Sequence, residues 1–501
     1  MLRLGRASMR LPPTGVRSTM GASTAMARSR TALSHVLRTS APALARVHEA
    51  ATKAAVAQGY TRHYCAATGG ASADGGARAD GSSYGMATRL CHPVGKGTGD
   101  PYKASSPVLY QTATFELAGV MAGGEYDYSR SGNPTRDALQ AQMADLEGAH
   151  SSFAFTSGMA ALAVAMRLVP AGGHIVTGDD IYGGTSRLLA NVAPASGVEV
   201  SNVDMCDPEA VSAAIVPGKT KLVWMESPTN PRMQIIDVRA IASAARAAGA
   251  LSMVDNSIMA PTFQQPLRLG CDISMTSATK FIAGHSDVTA GILSVGTEEL
   301  AKRVAFLQNS EGAGLSPFDC WLCLRGLKTM ALRMERQQAN AMALARWLEA
   351  HPLVKYVNYP GLESNKGYDL HHSQASGAGS ILSFATGDVN LSKIIVEQAK
   401  LFKITVSFGN TSSLISLPCF MSHASIPAEV RAERGLPDDL VRISAGIEDA
   451  EDLIDDLDAA FNLAASECGA AAKPRNGALT PAQQREEELL RKIAMLEAQL
   501  E

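Results

Sequence analysis

Short apolar runs alternate along this chain with segments whose apolar residues recur at helical spacing. The runs at 174–177, 222–225, 251–254, 273–275 and 291–295 are too short for core helices and predict strands. Asn133 can cap a helix with Pro134 in its first position; Ala138, Leu139, Met143 and Leu146 then repeat on one face, and Gly148 ends the pattern. Asp237 caps a second helix that shows Val238, Ile241 and Ala245 on one side and stops at Gly249. Strands alternating with helices predict an α/β fold: a mostly parallel sheet sandwiched by helices. In such sheets ligands sit beyond the carboxyl ends of the strands.

A long helical stretch at 329–350 leads into a second, smaller α/β unit, with strands at 380–384, 404–407 and 440–444 and a closing helix at 450–461. The expected division is a leader and link at 1–86, an N-terminal segment at 87–145, a large domain at 146–345, a small C-terminal domain at 346–465 and a tail at 466–501.

Composition changes the picture at the two ends. Between Met1 and Cys65 stand nine arginines and one lysine, against Glu49 as the sole acid. With Ala, Ser and Thr filling the rest, this is the composition of an organelle transit peptide, for a plastid or a mitochondrion. The alternative is a basic arm that stays attached. Residues 66–86 read as a flexible Gly, Ala and Ser link. In the tail, Thr480, Pro481 and Gln483 suit a helix start, and Leu489, Ile493, Leu496 and Leu500 follow at 4-3-4 spacing. This seam is short enough to be either a frayed end or a docking helix for a copy or a partner.

The remaining composition mainly excludes. The chain has 501 residues, enough for a large core, and its net charge of −3 argues against a nucleic-acid surface. It contains no apolar run long enough to span a membrane. The eight cysteines lack framework spacing; Cys320 and Cys323 read as buried thiols on an apolar helix. His285, His371 and His372 lack a third partner at metal-ligand spacing, so no metal is expected.

Candidate chemistry gathers at the strand ends. Lys280 follows the run at 273–275, and Asp255 ends the run at 251–254. A lysine and an aspartate so placed meet the needs of pyridoxal phosphate (PLP), one for a Schiff base and one for the pyridinium nitrogen. Ser157 and Gly158 open a helix whose free N–H groups suit a phosphate, and Ser277 and Thr279 flank Lys280 with hydroxyls. Tyr128 and Arg130 beside a turn can clamp an anion, and Tyr182 offers a ring at a strand end.

Together, the stretches at 128–135, 157–161, 182–184, 226–231, 254–256 and 277–287 resemble the Cys/Met-metabolism family of PLP enzymes, over roughly residues 87 to 463. The likeness is strongest to plant-type members that cleave cystathionine by β-elimination, carried by YDYSRSGNPTRDAL at 126–139, KLVWMESPTNPR at 221–232, FDCWLCLRG at 318–326 and ISLPCFMSHASIP at 415–427. The resemblance implies an aspartate-aminotransferase-like fold (fold type I) and a homo-oligomer of dimers, with a thioether amino acid as substrate. By motif, Lys280 is the Schiff-base lysine and base, Asp255 the pyridinium partner and Tyr182 the stacking ring. Gly158, Met159, Ser277 and Thr279 match the phosphate cup, and Tyr128 and Arg130 the residues reaching a neighbouring subunit's phosphate. Asn230 stands near the cofactor's 3′-oxygen, Arg442 grips the substrate carboxylate, and Ser413 lies beside that carboxylate and the lysine.

The implied reaction releases homocysteine, pyruvate and ammonia in methionine synthesis, in the plastid stroma or a mitochondrion. γ-Acting members carry a glutamate just before the Ser-Leu of the 413 region; Ser412 stands there, which favours β-elimination or sulfhydrylation. γ-Synthase, γ-lyase or sulfhydrylase activity is the alternative, and a silent scaffold using the tail a remote one.

Overall fold

The computed structural model describes residues 84–92, 100, 102–424 and 426–469. The leader and most of the link, and the tail helix anticipated from residue 480, lie outside them.

The larger sheet has seven strands: β1 (Ser151–Phe155), β2 (His174–Gly178), β3 (Glu199–Val203), β4 (Thr220–Glu226), β5 (Leu251–Asp255), β6 (Ile273–Thr276) and β7 (Gly291–Val295). Their order is β1-β7-β6-β5-β4-β2-β3. The ladders from β3 through β6 are parallel, whereas β7 runs antiparallel to both β6 and β1. Parallel neighbours need a crossover helix; the loop bearing Lys280 joins β6 to β7 without one, so the chain can only turn back. Two reversals leave β1 pointing the same way as β6. The carboxyl ends of β1, β2, β4, β5 and β6 therefore share one edge.

Local chemistry explains the helices. Helix α1 (Pro134–Glu147) begins where the Asn133 side chain accepts a hydrogen bond from the Thr135 amide, and ends at Gly148, whose φ of 67° suits glycine. Helix α2 (Gly158–Arg167) starts at Ser157, whose hydroxyl accepts from the Ala160 amide. Helix α3 (Gly183–Arg187) follows Tyr182. Helix α4 (Val238–Ala247) is capped by Asp237 through the Ala240 amide. Cys320 and Cys323 are fully buried on α5 (Pro317–Leu327), as their apolar surroundings imply.

Helix α6 (Met330–Glu349) serves two cores. Its first turns place Met330 and Met334 with Leu139, Phe281 and Leu324. Its last turns place Leu344 and Leu348 with Phe384, Ile443 and Phe461 beneath the second sheet. That sheet comprises β8 (Tyr356–Asn358), β9 (Ile381–Ala385), β10 (Lys403–Ile404), β11 (Leu414–Ser416) and β12 (Leu440–Ser444), in the order β10-β11-β12-β9-β8. Helix α7 (Ala450–Cys468) closes it.

The strand anticipated at 404–407 stops at Ile404, and Ser407 has a φ of 102°, which no regular strand admits. Among the described residues no helix is long and apolar enough to cross a membrane, and no His, Cys, Asp or Glu cluster suits a metal.

Candidate active site

The edge of the large sheet gathers the residues. Asp255 is the last residue of β5 and Glu226 the last of β4, and the two are register partners. Asp255 is buried, and one carboxyl oxygen accepts the Ser257 amide at 3.0 Å. Burial raises its pKa; the Ser257 hydrogen bonds and the positive charge of Lys280 oppose that rise. The Ser257 hydroxyl accepts the Ser277 amide at 2.8 Å, tying this strand end to the loop of Lys280.

Lys280 is largely removed from water, and its amine donates to the Ser407 hydroxyl at 2.7 Å over the Phe408 ring. Burial, then Arg442, pulls its pKa from 10.5 down to about 8, against the pull of Asp255. An amine so depressed has far more of its neutral, nucleophilic form near neutral pH than a surface lysine. The loop is pinned from behind: Arg333 donates to the carbonyls of Phe281 at 2.9 Å and Gly326 at 2.8 Å.

Gly158 faces this loop. A Cβ on Gly158 would lie 3.1 Å from the Ser277 hydroxyl oxygen, so the start of α2 and Ser277 form adjoining walls. Thr279 is hydrogen-bonded to Ala290. Its single hydroxyl proton goes to the Ala290 carbonyl at 3.1 Å, and its oxygen accepts the Ala290 amide at 2.9 Å. Tyr182 is partly exposed, and its ring lies over Gly184 beside the Met159 sulfur.

Arg442 joins the two units. Buried in β12, it donates to the Asn230 side-chain oxygen at 2.9 Å and the Ser407 carbonyl at 2.8 Å. Desolvation lowers its pKa to about 10, which leaves it charged at neutral pH. The peptide bonds before Pro228 and Pro231, in the loop bearing Asn230, are both cis.

Ser413 is a correction. Its hydroxyl donates to Glu448 at 2.9 Å and accepts the Gly446 amide at 2.9 Å, deep in the small unit. The serine beside Lys280 and Arg442 is Ser407. Arg130 lies over the half-exposed Tyr128 ring and donates to Asn309 at 3.2 Å.

Sequence reading missed Ser407, Phe408, Glu226 and His423. Ser407 has a findable trace in the following Gly409, where φ is 80° and a Cβ would fall 3.0 Å from the Phe281 amide nitrogen. Close approach to the lysine loop requires glycine there. His423 is buried, and burial together with Arg442 lowers its pKa to about 4.

This donor set fits PLP: a depressed lysine amine, a buried carboxylate and an anion-sized wall of helix start and serine. The family described as "Cys/Met metabolism PLP-dependent enzyme" matches residues 88–462. The chain belongs to that family. It is 62% identical over 362 residues to the protein named cystathionine beta-lyase, chloroplastic, of Arabidopsis thaliana, covering 72% of this chain and 78% of the relative. The Mimosa pudica protein of the same name is 58% identical, covering 72% and 79%. Among solved structures, a cystathionine gamma-lyase from Lactobacillus plantarum, complexed with L-serine, superposes with a TM-score of 0.74 at 38% identity, over 76% of this chain and 99% of that one. The likeness fixes the fold as that of this family, an α/β PLP enzyme, as the sequence led one to expect.

Proposed function

We propose that this PLP-dependent enzyme is a carbon–sulfur lyase that cleaves L-cystathionine, with water, into L-homocysteine, pyruvate and ammonia. The observation that carries the reading is the 62% identity over 362 residues to a chloroplastic cystathionine beta-lyase, with Asp255, Lys280 and Arg442 all inside the family match at 88–462.

Lys280, Asp255, Asn230, Tyr182, Gly158, Met159 and Ser277 would hold the cofactor. When bound, PLP supplies an electron sink for the charge left at Cα. The remaining work belongs to the chain. Arg442 binds the substrate carboxylate and so selects which Cα bond aligns for cleavage. Neutral Lys280 takes the Cα proton, and Ser407 aims its amine. Loss of the Cβ–S bond releases homocysteine, and the three-carbon remainder hydrolyses. Asp255 stays ionised to keep the pyridine nitrogen charged.

Identification of the keto acid released from L-cystathionine tests the proposed cleavage: pyruvate is expected, and 2-oxobutyrate would contradict it.

Tyr128 and Arg130 reach the phosphate of a neighbouring subunit in this reading, which makes the enzyme at least a dimer and, on the family pattern, a tetramer. The arginine-rich leader and the chloroplastic relatives favour the plastid stroma.

A further inference from the structure

We propose that Glu226 is a positioning residue of the PLP site: its carboxyl group holds the backbones of Tyr182 and Asn230 in fixed relation to Asp255. The inference rests on the site roles proposed above for those three residues.

Glu226 ends β4 directly beside Asp255 at the end of β5, and parallel register partners project from the same face. Its Oε2 accepts the Tyr182 amide at 3.0 Å, and the Asn230 amide also donates to its carboxyl group. One side chain thus fastens the turn of the stacking ring and the turn of the 3′-oxygen partner to the strand next to the pyridinium partner. A second clamp backs the same pair of turns: Arg232 pairs with Asp179 at 3.1 Å and Asp180 at 3.3 Å.

Two carboxyl groups side by side out of water do not both ionise cheaply. The charged groups around them decide which keeps the proton. Asp255 has the Ser257 amide and hydroxyl and the positive Lys280. Glu226 faces the negative Asp255 and Asp180, with Arg442 as its opposing positive charge, and it is 6% exposed. Burial and these two negative neighbours push the Glu226 pKa well up against the pull of its backbone donors, which favours the proton on Glu226. Neutrality has a use: an ionised Glu226 would compete with the substrate carboxylate for Arg442.

The test uses the full chain with Glu226→Ala and Glu226→Gln. Apoprotein is titrated with PLP and followed by visible absorption, without substrate. Glu226→Ala should weaken PLP binding by about thirtyfold, the order expected for two lost buried hydrogen bonds. Glu226→Gln should recover most of that loss, because its amide oxygen still accepts. The wild-type minus Glu226→Gln infrared difference at neutral pH should contain a neutral-carboxyl stretch. A Gln variant that binds PLP as weakly as the Ala variant, or a difference spectrum holding only carboxylate bands, overturns the proposal. If the Ala variant does not fold, the infrared difference and the Gln affinity still decide. Failure of wild-type apoprotein to bind PLP would instead remove the site reading itself.

Discussion

Lys280 and Ser407 are 127 positions apart, and the hydrogen bond between them is what the sequence could not show. The sequence pointed to Lys280 and Asp255 because they follow or end apolar runs legible as strands, and to Arg442 through the family resemblance. It chose Ser413 over Ser407, because the one trace of where Ser407 sits lies two residues on, at Gly409. The two serines now make separable predictions. Ser413→Ala should cost about 1–3 kcal/mol of stability by removing the acceptor of the Gly446 amide and one of the donors to Glu448, read by denaturant unfolding, with little effect on the rate of PLP capture. Ser407→Ala should slow PLP capture and turnover with a smaller loss of stability. The depressed lysine adds a pH prediction. Only the neutral amine attacks the aldehyde, so capture of PLP by apoprotein should accelerate as pH rises through about 8 and then level off, rather than keep rising toward 10.5. Stopped-flow absorbance across that range checks it.

At the scale of elements, caps were the most legible features. Asn133, Ser157 and Asp237 each open a helix in the structure, because a side-chain oxygen followed by a helix-forming run has one good use. Edge and short strands were not legible. Strand β3 is half exposed and β11 has three residues, so neither builds a period long enough to read. The reversal at β7 was also hidden, since it depends on the lysine loop lacking a crossover helix. That loop packs on Gly409, which sets up an element-scale prediction. Gly409→Ala places a Cβ 3.2 Å from the Cβ of Lys280 at a φ of 80°. It should destabilise the fold by about 1–3 kcal/mol and weaken PLP binding together. Thermal unfolding paired with PLP titration would show whether the two losses travel together.

At the scale of the whole molecule, the order of motifs along residues 88–462 made the family readable before any geometry. How the two sheets meet was not readable. Polar contacts such as Arg442 to Asn230 and Lys280 to Ser407, and the packing of Phe408 on Phe281, join residues far apart in sequence. The proposed reach of Arg130 into a neighbouring subunit's site makes a prediction about assembly. Inactive Arg130→Ala and inactive Lys280→Ala subunits, unfolded and refolded together, should regain part of the wild-type turnover, since a hybrid dimer contains one intact site. No recovery in the mixture would place Arg130 in its own chain's site. The central claim is that Lys280 carries the cofactor, and borohydride reduction of the PLP-loaded protein followed by peptide mass mapping tests it most directly. The pyridoxyl group should be found on Lys280 and vanish in Lys280→Ala; a reduced adduct on any other lysine, with Lys280 unmodified, would contradict the account.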